Sequence, residues 1–368
     1  MKFLLSAVLL LLALRIPSPA MPPIEKVFVI VFENRGWAEI HGSTNAPYLN
    51  HTLLPQAAYC AAYLARPGLH PSEPNYLWLE AGTNFGILDN NDPATNHVNT
   101  SDHLVAQLQA AGVSWRSYQE DIDGMSVPLV GTNLYAPRHN PFVYFDDVTG
   151  TNDANNAYGI AHIRPYSELA ADLANDTVAR YNFITPNLCN DGHDPCPPLY
   201  NPVLQSDSWL EAELPRILSS AAFTNRGAVF ITWDEAYDNG PVGMIVLSPQ
   251  ARGHGFHNCI PYSHSSLLRT VQQIFSVSPW LGDAANAMDL SDLFVGFRFT
   301  DINRHSDGQV ELTASLLSPN RTNLVLASPD LANWTPISTN IATTNWFKVC
   351  DSAATNFTSR FYRLVELP

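Results

Sequence analysis

Three unbroken apolar runs, Val27 to Phe32, Ala228 to Trp233 and Met244 to Leu247, have the pattern of strands buried on both faces, as in a parallel sheet. Val113 to Tyr118 and Tyr181 to Thr185 repeat it more weakly. Helical spacing fills the gaps. Thr100 or Ser101 can cap a helix that buries Leu104, Val105 and Leu108 and stops at Gly112. Ser167 opens another, with Leu169 and Leu173, and His264 to Phe275 sets Leu267, Leu268, Val271, Ile274 and Phe275 on one side. Strands alternating with helices predict an α/β fold, a sandwich with helices on both faces of the sheet, spanning residues 21–300. Ligands in such folds bind beyond the C-terminal ends of the strands, so polar residues that end the apolar runs are the ones to weigh. After about Thr300 the pattern changes to short alternating pieces (Val310-Glu311-Leu312-Thr313, Asn323-Leu324-Val325-Leu326) and turns at Ser318-Pro319-Asn320 and Ser328-Pro329-Asp330. This predicts a small C-terminal all-β module over 301–368.

The 368 residues carry 19 basic and 34 acidic side chains, a net charge of -15, and 46% are hydrophobic. Enough apolar surface is present to offset the ordering entropy, which excludes a disordered chain. So acidic a protein, without a dense basic cluster, repels phosphate backbones, and no stable nucleic-acid complex is expected. Residues 1–20 read as a secretory signal: Lys2, an apolar run from Phe3 to Leu14, and small residues at Ser18 and Ala20. No later stretch has the apolar length of a membrane span. Export to a periplasmic, cell-surface or extracellular location permits disulfides. Of the five cysteines (60, 189, 196, 259 and 350), Cys189 and Cys196 in a Pro-rich loop are the pair expected to bridge.

The candidate chemistry sits at strand ends. Phe32-Glu33-Asn34-Arg35 closes the first strand with a carboxylate and an amide, and Trp233-Asp234-Glu235 closes a later one with two adjacent acids, which repel unless a cation lies between them. His70-Pro71-Ser72-Glu73-Pro74-Asn75-Tyr76 reads as a loop entering a helix at Pro74 that ends at Gly82. Ser72 there is either a plain N-cap or a nucleophile held where the helix N-terminus favours a phosphate. Thr185-Pro186-Asn187-Leu188-Cys189-Asn190-Asp191-Gly192-His193-Asp194 packs acids, amides and an imidazole into one loop, and Tyr262-Ser263-His264 opens the helix facing that edge. Together these residues compose a metal-assisted phosphoryl-transfer site. The acidic turns at Asp89-Asn90-Asn91-Asp92 and Asn152-Asp153-Ala154-Asn155-Asn156 are read as ordinary Asn/Asp turns.

These five segments, in this order, resemble the successive signatures of the phosphoesterase family, which includes acid phosphatases and bacterial phospholipases C, in the alkaline phosphatase superfamily. The resemblance implies a doubly wound, alkaline phosphatase-like α/β/α sandwich. It implies Ser72 as the phosphorylated nucleophile, Asn75 holding a phosphate oxygen, and Glu33, Asn34, Ser72, Asp234 and Glu235 as metal ligands. Asp191 and His193 match the substrate side, and His193 or His264 the second-metal or phosphate-contacting histidines, either of which protonates the leaving alcohol. Glu33-Asn34 and Asp234-Glu235 stand where two-zinc relatives carry an Asp and an Asp-His pair. The oxygen-rich set therefore favours one divalent cation, Ca, Mg or Mn, over Zn, with two metals left open. Ser328 to Thr335 and Ala353 to Arg363 also resemble β-sandwich modules at the C-termini of secreted bacterial proteins, which implies surface attachment, export or spacing.

No phosphate loop with a following lysine, G-x-S-x-G elbow or H-E-x-x-H is present, and Ser72-Glu73-Pro74-Asn75 is not followed by the arginine that a sulfatase needs. The expected activity is an acid phosphatase-like hydrolysis of small phosphate esters. The alternatives are phospholipase C-type cleavage of a phospholipid headgroup, for which Val127 to Pro141 is a candidate apolar rim, and an inactive secreted binding protein. The chain lacks the long insertions of large phospholipases.

Overall fold

The strands are β1 (Lys26–Phe32), β2 (Ala58–Cys60), β3 (Trp115–Gln119), β4 (Ile163–Pro165), β5 (Tyr181–Thr185), β6 (Gly227–Trp233), β7 (Met244–Leu247) and β8 (Phe256–Asn258). They form one eight-stranded sheet in the order β4-β3-β5-β1-β6-β7-β2-β8. β1 lies at its centre, paired in parallel with β5 on one side and with β6 on the other, Phe32 opposite Trp233. Every residue of β5 and β6, and all of β1 after Lys26, is buried, which is why these runs show no alternation. This computed structural model describes residues 21–295, 298–315, 322–341, 343–344 and 346–366. The expected signal at 1–20 and the Ser318-Pro319-Asn320 turn lie outside the described residues.

One expectation about the sheet is corrected. β7 is buried as its apolar run predicts, but it pairs antiparallel with β6, Ile231 opposite Ile245. The connection from Trp233 to Met244 is too short for the crossover that a parallel neighbour requires.

Four helices matter for the site: Ser72–Ala81, Leu104–Ala110, Pro202–Leu218 and His264–Phe275. The first starts two residues ahead of its expected Pro74 and ends as expected, with Gly82 left-handed at φ 67. A Cβ at Gly82 would lie 2.5 Å from the Leu281 carbonyl oxygen, so only glycine fits that close approach. The second helix is capped at His103, two or three residues later than Ser101 or Thr100, because the Glu80 carboxylate accepts from the Val105 amide (2.6 Å) and takes over the capping role. Ser263 and Ser266 form a capping box on the last helix, which buries Leu267, Leu268, Val271 and Phe275. The Pro202–Leu218 helix, not among the elements expected from the sequence, is capped by the Asn201 side chain and buries Trp209, Leu210, Leu214 and Ile217.

The C-terminal strands are β9 (Arg298–Arg304), β10 (Val310–Ser315), β11 (Thr322–Ser328), β12 (Thr335–Ile341), β13 (Trp346–Asp351) and β14 (Phe361–Glu366). They make two antiparallel three-stranded sheets, β13-β10-β9 and β12-β11-β14. Val310, Leu312, Ala314, Val325, Phe347 and Ala354 give them a core of their own. The Ser328-Pro329-Asp330 turn is held by Asp330, whose Oδ1 accepts from the amides of Ala332 (2.9 Å) and Asn333 (2.8 Å).

Candidate active site

The ends of β1, β5 and β6 are stitched together by the residues that follow them. The Asp234 amide donates to the Phe32 carbonyl (2.9 Å), and the Glu33 amide donates to the Asp191 carbonyl (2.9 Å). Asn34 takes a left-handed turn (φ 47), a conformation that asparagine tolerates, and its amide donates to Asp234 Oδ1 at 2.9 Å. Glu33, Asp191 and Asp234 thereby converge, all fully buried. The serine loop completes the group. Ser72 is the first residue inside its helix, Pro71 occupies the cap position, and Ser72 Oγ donates to Glu33 Oε2 at 2.9 Å. The hydroxyl is therefore directed at the acidic cluster and does not cap the helix.

Burial raises the pKa of Glu33 well above the ordinary carboxylate value, and the charges of Asp234 and Asp191 raise it further. Asp234 is raised by burial and then by Glu235, and Asp191 by burial, against the relief of the His193 amide. Such a cluster calls for protons or a cation. Glu33 Oε1, Asn34 Oδ1 and Asp234 Oδ2 are also buried without a hydrogen-bond partner. Among the described residues no three acidic, imidazole or thiol side chains are already drawn to ligating geometry. The candidate set here is two carboxylates supplemented by a neutral amide and a hydroxyl. Unsatisfied oxygens of this kind fit a hard divalent cation.

The remaining expected residues divide between open and enclosed positions. His193 is open: its amide donates to Asp191 Oδ1 (2.8 Å), Nδ1 sits 2.7 Å from Asp194 Oδ1, and its side chain is 31% exposed. His264 is enclosed. Its Nε2 lies 2.6 Å from the Asp234 carbonyl oxygen, so that nitrogen carries the proton, and Nδ1 accepts from the Tyr63 hydroxyl (3.1 Å). Burial lowers its pKa to about 4, which keeps the ring neutral. Glu235 turns away from Asp234's partners: Oε2 lies 2.5 Å from His70 Nδ1 and accepts from Asn75 Nδ2 at 3.1 Å. Asn75 Nδ2 also donates to the carbonyls of Leu69 (2.8 Å) and Pro71 (3.3 Å), so this amide ties down the turn that carries Ser72.

Two histidines escaped the sequence reading. His139, fully enclosed in the segment after β3, places Nε2 3.3 Å from Glu33 Oε1 and Nδ1 3.4 Å from Asp191 Oδ2, and it stacks on Tyr76. Burial and then Arg138 lower its pKa well below the usual value, leaving it neutral. Its one sequence cue was a place beyond the C-terminal end of a strand, in irregular chain. His70 belongs to the serine motif, and nothing in the sequence marks it as a partner of Glu235. Val127 and Tyr135 of the candidate rim are packed inside, as is Phe142 just after it, whereas Val130 and Leu134 of the rim and Met125 just before it are exposed. Cys189 and Cys196 are bridged as expected.

Comparison with known proteins places the chain beside phosphoric ester hydrolases. The phosphatidylinositol-3-phosphatase of Mycobacterium tuberculosis is 30% identical over 281 residues, 75% of this chain and 85% of that protein. The phosphate-repressible acid phosphatase of Penicillium chrysogenum is 33% identical over 48% of this chain and 42% of its own, and the non-hemolytic phospholipase C of Pseudomonas aeruginosa 28% over 60% and 39%. The chain thus spans less than half the length of the latter two. Among solved structures, Ps i-CgsB superposes with a TM-score of 0.50 at 10% identity, covering 80% of this chain and 84% of its own, which shows the shared fold. The phosphoesterase family model matches residues 51–278, which carry the serine turn, the Asp191 loop and the Asp234 strand end, and the chain belongs to that family as a phosphoric ester hydrolase.

Proposed function

We propose that the protein is a metal-dependent phosphomonoesterase of acid phosphatase type that works through a phosphoserine on Ser72. The observation that carries this reading is the Ser72 Oγ hydrogen bond to buried Glu33 (2.9 Å) at the start of a ten-residue helix. A divalent cation held by Glu33, Asn34, Asp234 and Ser72 would polarise a phosphate oxygen and lower the pKa of the serine hydroxyl. Ser72 Oγ, its proton directed at Glu33 Oε2, attacks phosphorus in line as the ester P–O bond breaks. The positive end of the helix dipole at Ser72 favours the charge that builds on the phosphoryl oxygens. His193, the more open of the two expected histidines, gives its proton to the leaving alcohol and then assists water in hydrolysing phosphoserine. His264 and Asn75 act by holding Asp234 and the serine turn, and Glu235 by pairing with His70. Asp191 braces the His193 backbone.

A second reading, hydrolysis of a lipid-borne phosphate, is favoured by the exposed Met125, Val130 and Leu134 on the segment that leads to His139. We also propose a catalytic unit over 21–300, secretion directed by 1–20, and surface attachment through 301–368. The Cys189–Cys196 bridge supports an oxidising compartment. The test is p-nitrophenol release from mono- and bis-p-nitrophenyl phosphate by wild type and folded Ser72→Ala, after chelation and addition of Mn²⁺, Mg²⁺ or Ca²⁺. Faster monoester hydrolysis, lost in Ser72→Ala and on chelation, is expected. An active Ser72→Ala variant would overturn the nucleophile, and a preference for the diester would overturn the monoesterase reading.

A further inference from the structure

The loop from Asn187 to Cys196 carries Asp191 and His193, yet it has little regular structure. Part of its shape is internal: Asn187 Oδ1 accepts from the amides of Cys189 (3.0 Å) and Asn190 (2.9 Å), and the Asp194 amide donates to the Leu188 carbonyl (3.0 Å). The Cys189–Cys196 disulfide closes the segment, but closure alone fixes the separation of two points and leaves the span between them free to turn.

Gln205, one turn into the Pro202–Leu218 helix, supplies what closure does not. It is 6% exposed. Its Nε2 donates to the carbonyls of Cys189 (2.6 Å) and Asp194 (3.0 Å), and its Oε1 accepts from the Cys196 amide (3.0 Å). The Cys196 N–H can only donate, which fixes the orientation of the side-chain amide. One planar group thus holds both disulfide residues and the residue next to His193 against a rigid helix. None of its polar contacts reaches Asp191 or His193 side chains, and no other part of the proposed mechanism uses it.

We propose that Gln205 is a positioning residue, which registers the disulfide-closed loop so that His193 meets the leaving-group oxygen. This rests on the assignment of His193 as proton donor. Proton donation matters most for a poor leaving group, so misplacing His193 should slow an alkyl phosphate far more than an aryl phosphate with an acidic leaving group.

The experiment compares glycerol 2-phosphate with p-nitrophenyl phosphate in the full-length enzyme. Gln205→Met keeps the length of the side chain and deletes all three hydrogen bonds. It should lower kcat/KM, which reports the step that forms the phosphoserine, about 10- to 100-fold for glycerol 2-phosphate, at or below the lower end of the ~10²–10⁴-fold range for proton transfer, and less than about threefold for p-nitrophenyl phosphate. His193→Ala should show the same leaving-group dependence, and the double variant should be no slower than His193→Ala. If Gln205→Met does not fold, Gln205→Asn, which withdraws the amide by one methylene, is read by the same ratio. Equal losses on both esters, or no loss, would overturn the proposal while His193→Ala still shows the dependence. A His193→Ala variant without the dependence would overturn the proton-donor assignment and the proposal with it.

Discussion

Replacing His264 with leucine separates a histidine that holds the site from one that performs chemistry. In the folded protein the ring satisfies the Asp234 carbonyl (2.6 Å) and the Tyr63 hydroxyl (3.1 Å), and it is fully buried. His264→Leu leaves both groups without a partner. Each such buried orphan costs about 1–3 kcal/mol, so the variant should lose about 2–5 kcal/mol. For a chain of this size that is a fall in Tm of very roughly 4–15 °C. The pH dependence gives a second handle. The folded pKa, lowered from 6.5 to about 4 by burial, means that the unfolded chain binds the extra proton. The neutral ring therefore stabilises fully above pH 6.5, and this contribution is lost as pH falls towards 4, by about 3 kcal/mol. Urea unfolding of wild type and variant from neutral pH down to pH 4 should show the stability gap narrowing with acid. Turnover of p-nitrophenyl phosphate and of glycerol 2-phosphate should fall in equal proportion, because Asp234 is displaced. A variant as stable as wild type that loses only alkyl phosphate turnover would refute the positioning role.

Three further outcomes follow from neighbouring features. Burial works to lower the pKa of His103, but hydrogen bonds to Asp147 and Glu80 and their charges outweigh it and raise the ring to about 9. Its stabilisation is thus complete below pH 6.5 and lost as pH rises through 9, and His103→Gln should remove that alkaline transition from stability measured by denaturant. Replacing both Cys189 and Cys196 with alanine should cost about 2–3 kcal/mol for so short a loop, read by thermal unfolding, and a cost below about 0.5 kcal/mol would contradict a bridge that constrains the unfolded chain. Chelation should lower Tm, with Mn²⁺ at about 100 times its Kd restoring about 3 kcal/mol. Glu33→Gln should abolish that response in calorimetry, whereas Glu235→Gln should keep it, since Glu235 is engaged by His70.

The central strands were legible because double-sided burial leaves an uninterrupted apolar run, as in β1 and β6, and the His264–Phe275 helix because its apolar face and its serine cap coincide. β2, β4 and β8 are three residues each, too short for any periodicity to register. The direction of β7 depended on loop length, which an apolar run does not encode. At the site, Glu33, Asn34, Ser72, Asp191 and Asp234 could be read as polar residues ending strands or opening a helix. What sequence adjacency concealed was direction. The chain bends at Asp234, just past the end of β6, so Asp234 faces Asn34 while Glu235 faces His70. His139 was hidden for another reason: it reaches the acidic cluster from short 3-10 turns in an irregular segment, where no spacing rule places a side chain. His264 carried the right residue type for proton transfer, and only its two hydrogen bonds reveal that both nitrogens are in use.

The phosphoserine itself is the most direct test. Wild type is mixed with excess p-nitrophenyl phosphate at acid pH in the presence of the activating cation, quenched in acid within the first turnovers, digested and mapped by mass spectrometry. A phosphoryl group on Ser72, accompanied by a burst of p-nitrophenol equal to the enzyme concentration when hydrolysis of the intermediate is slow, is the expected result. Sustained turnover without any phosphorylated Ser72 peptide, in an enzyme whose Ser72→Ala variant remains active, would contradict it.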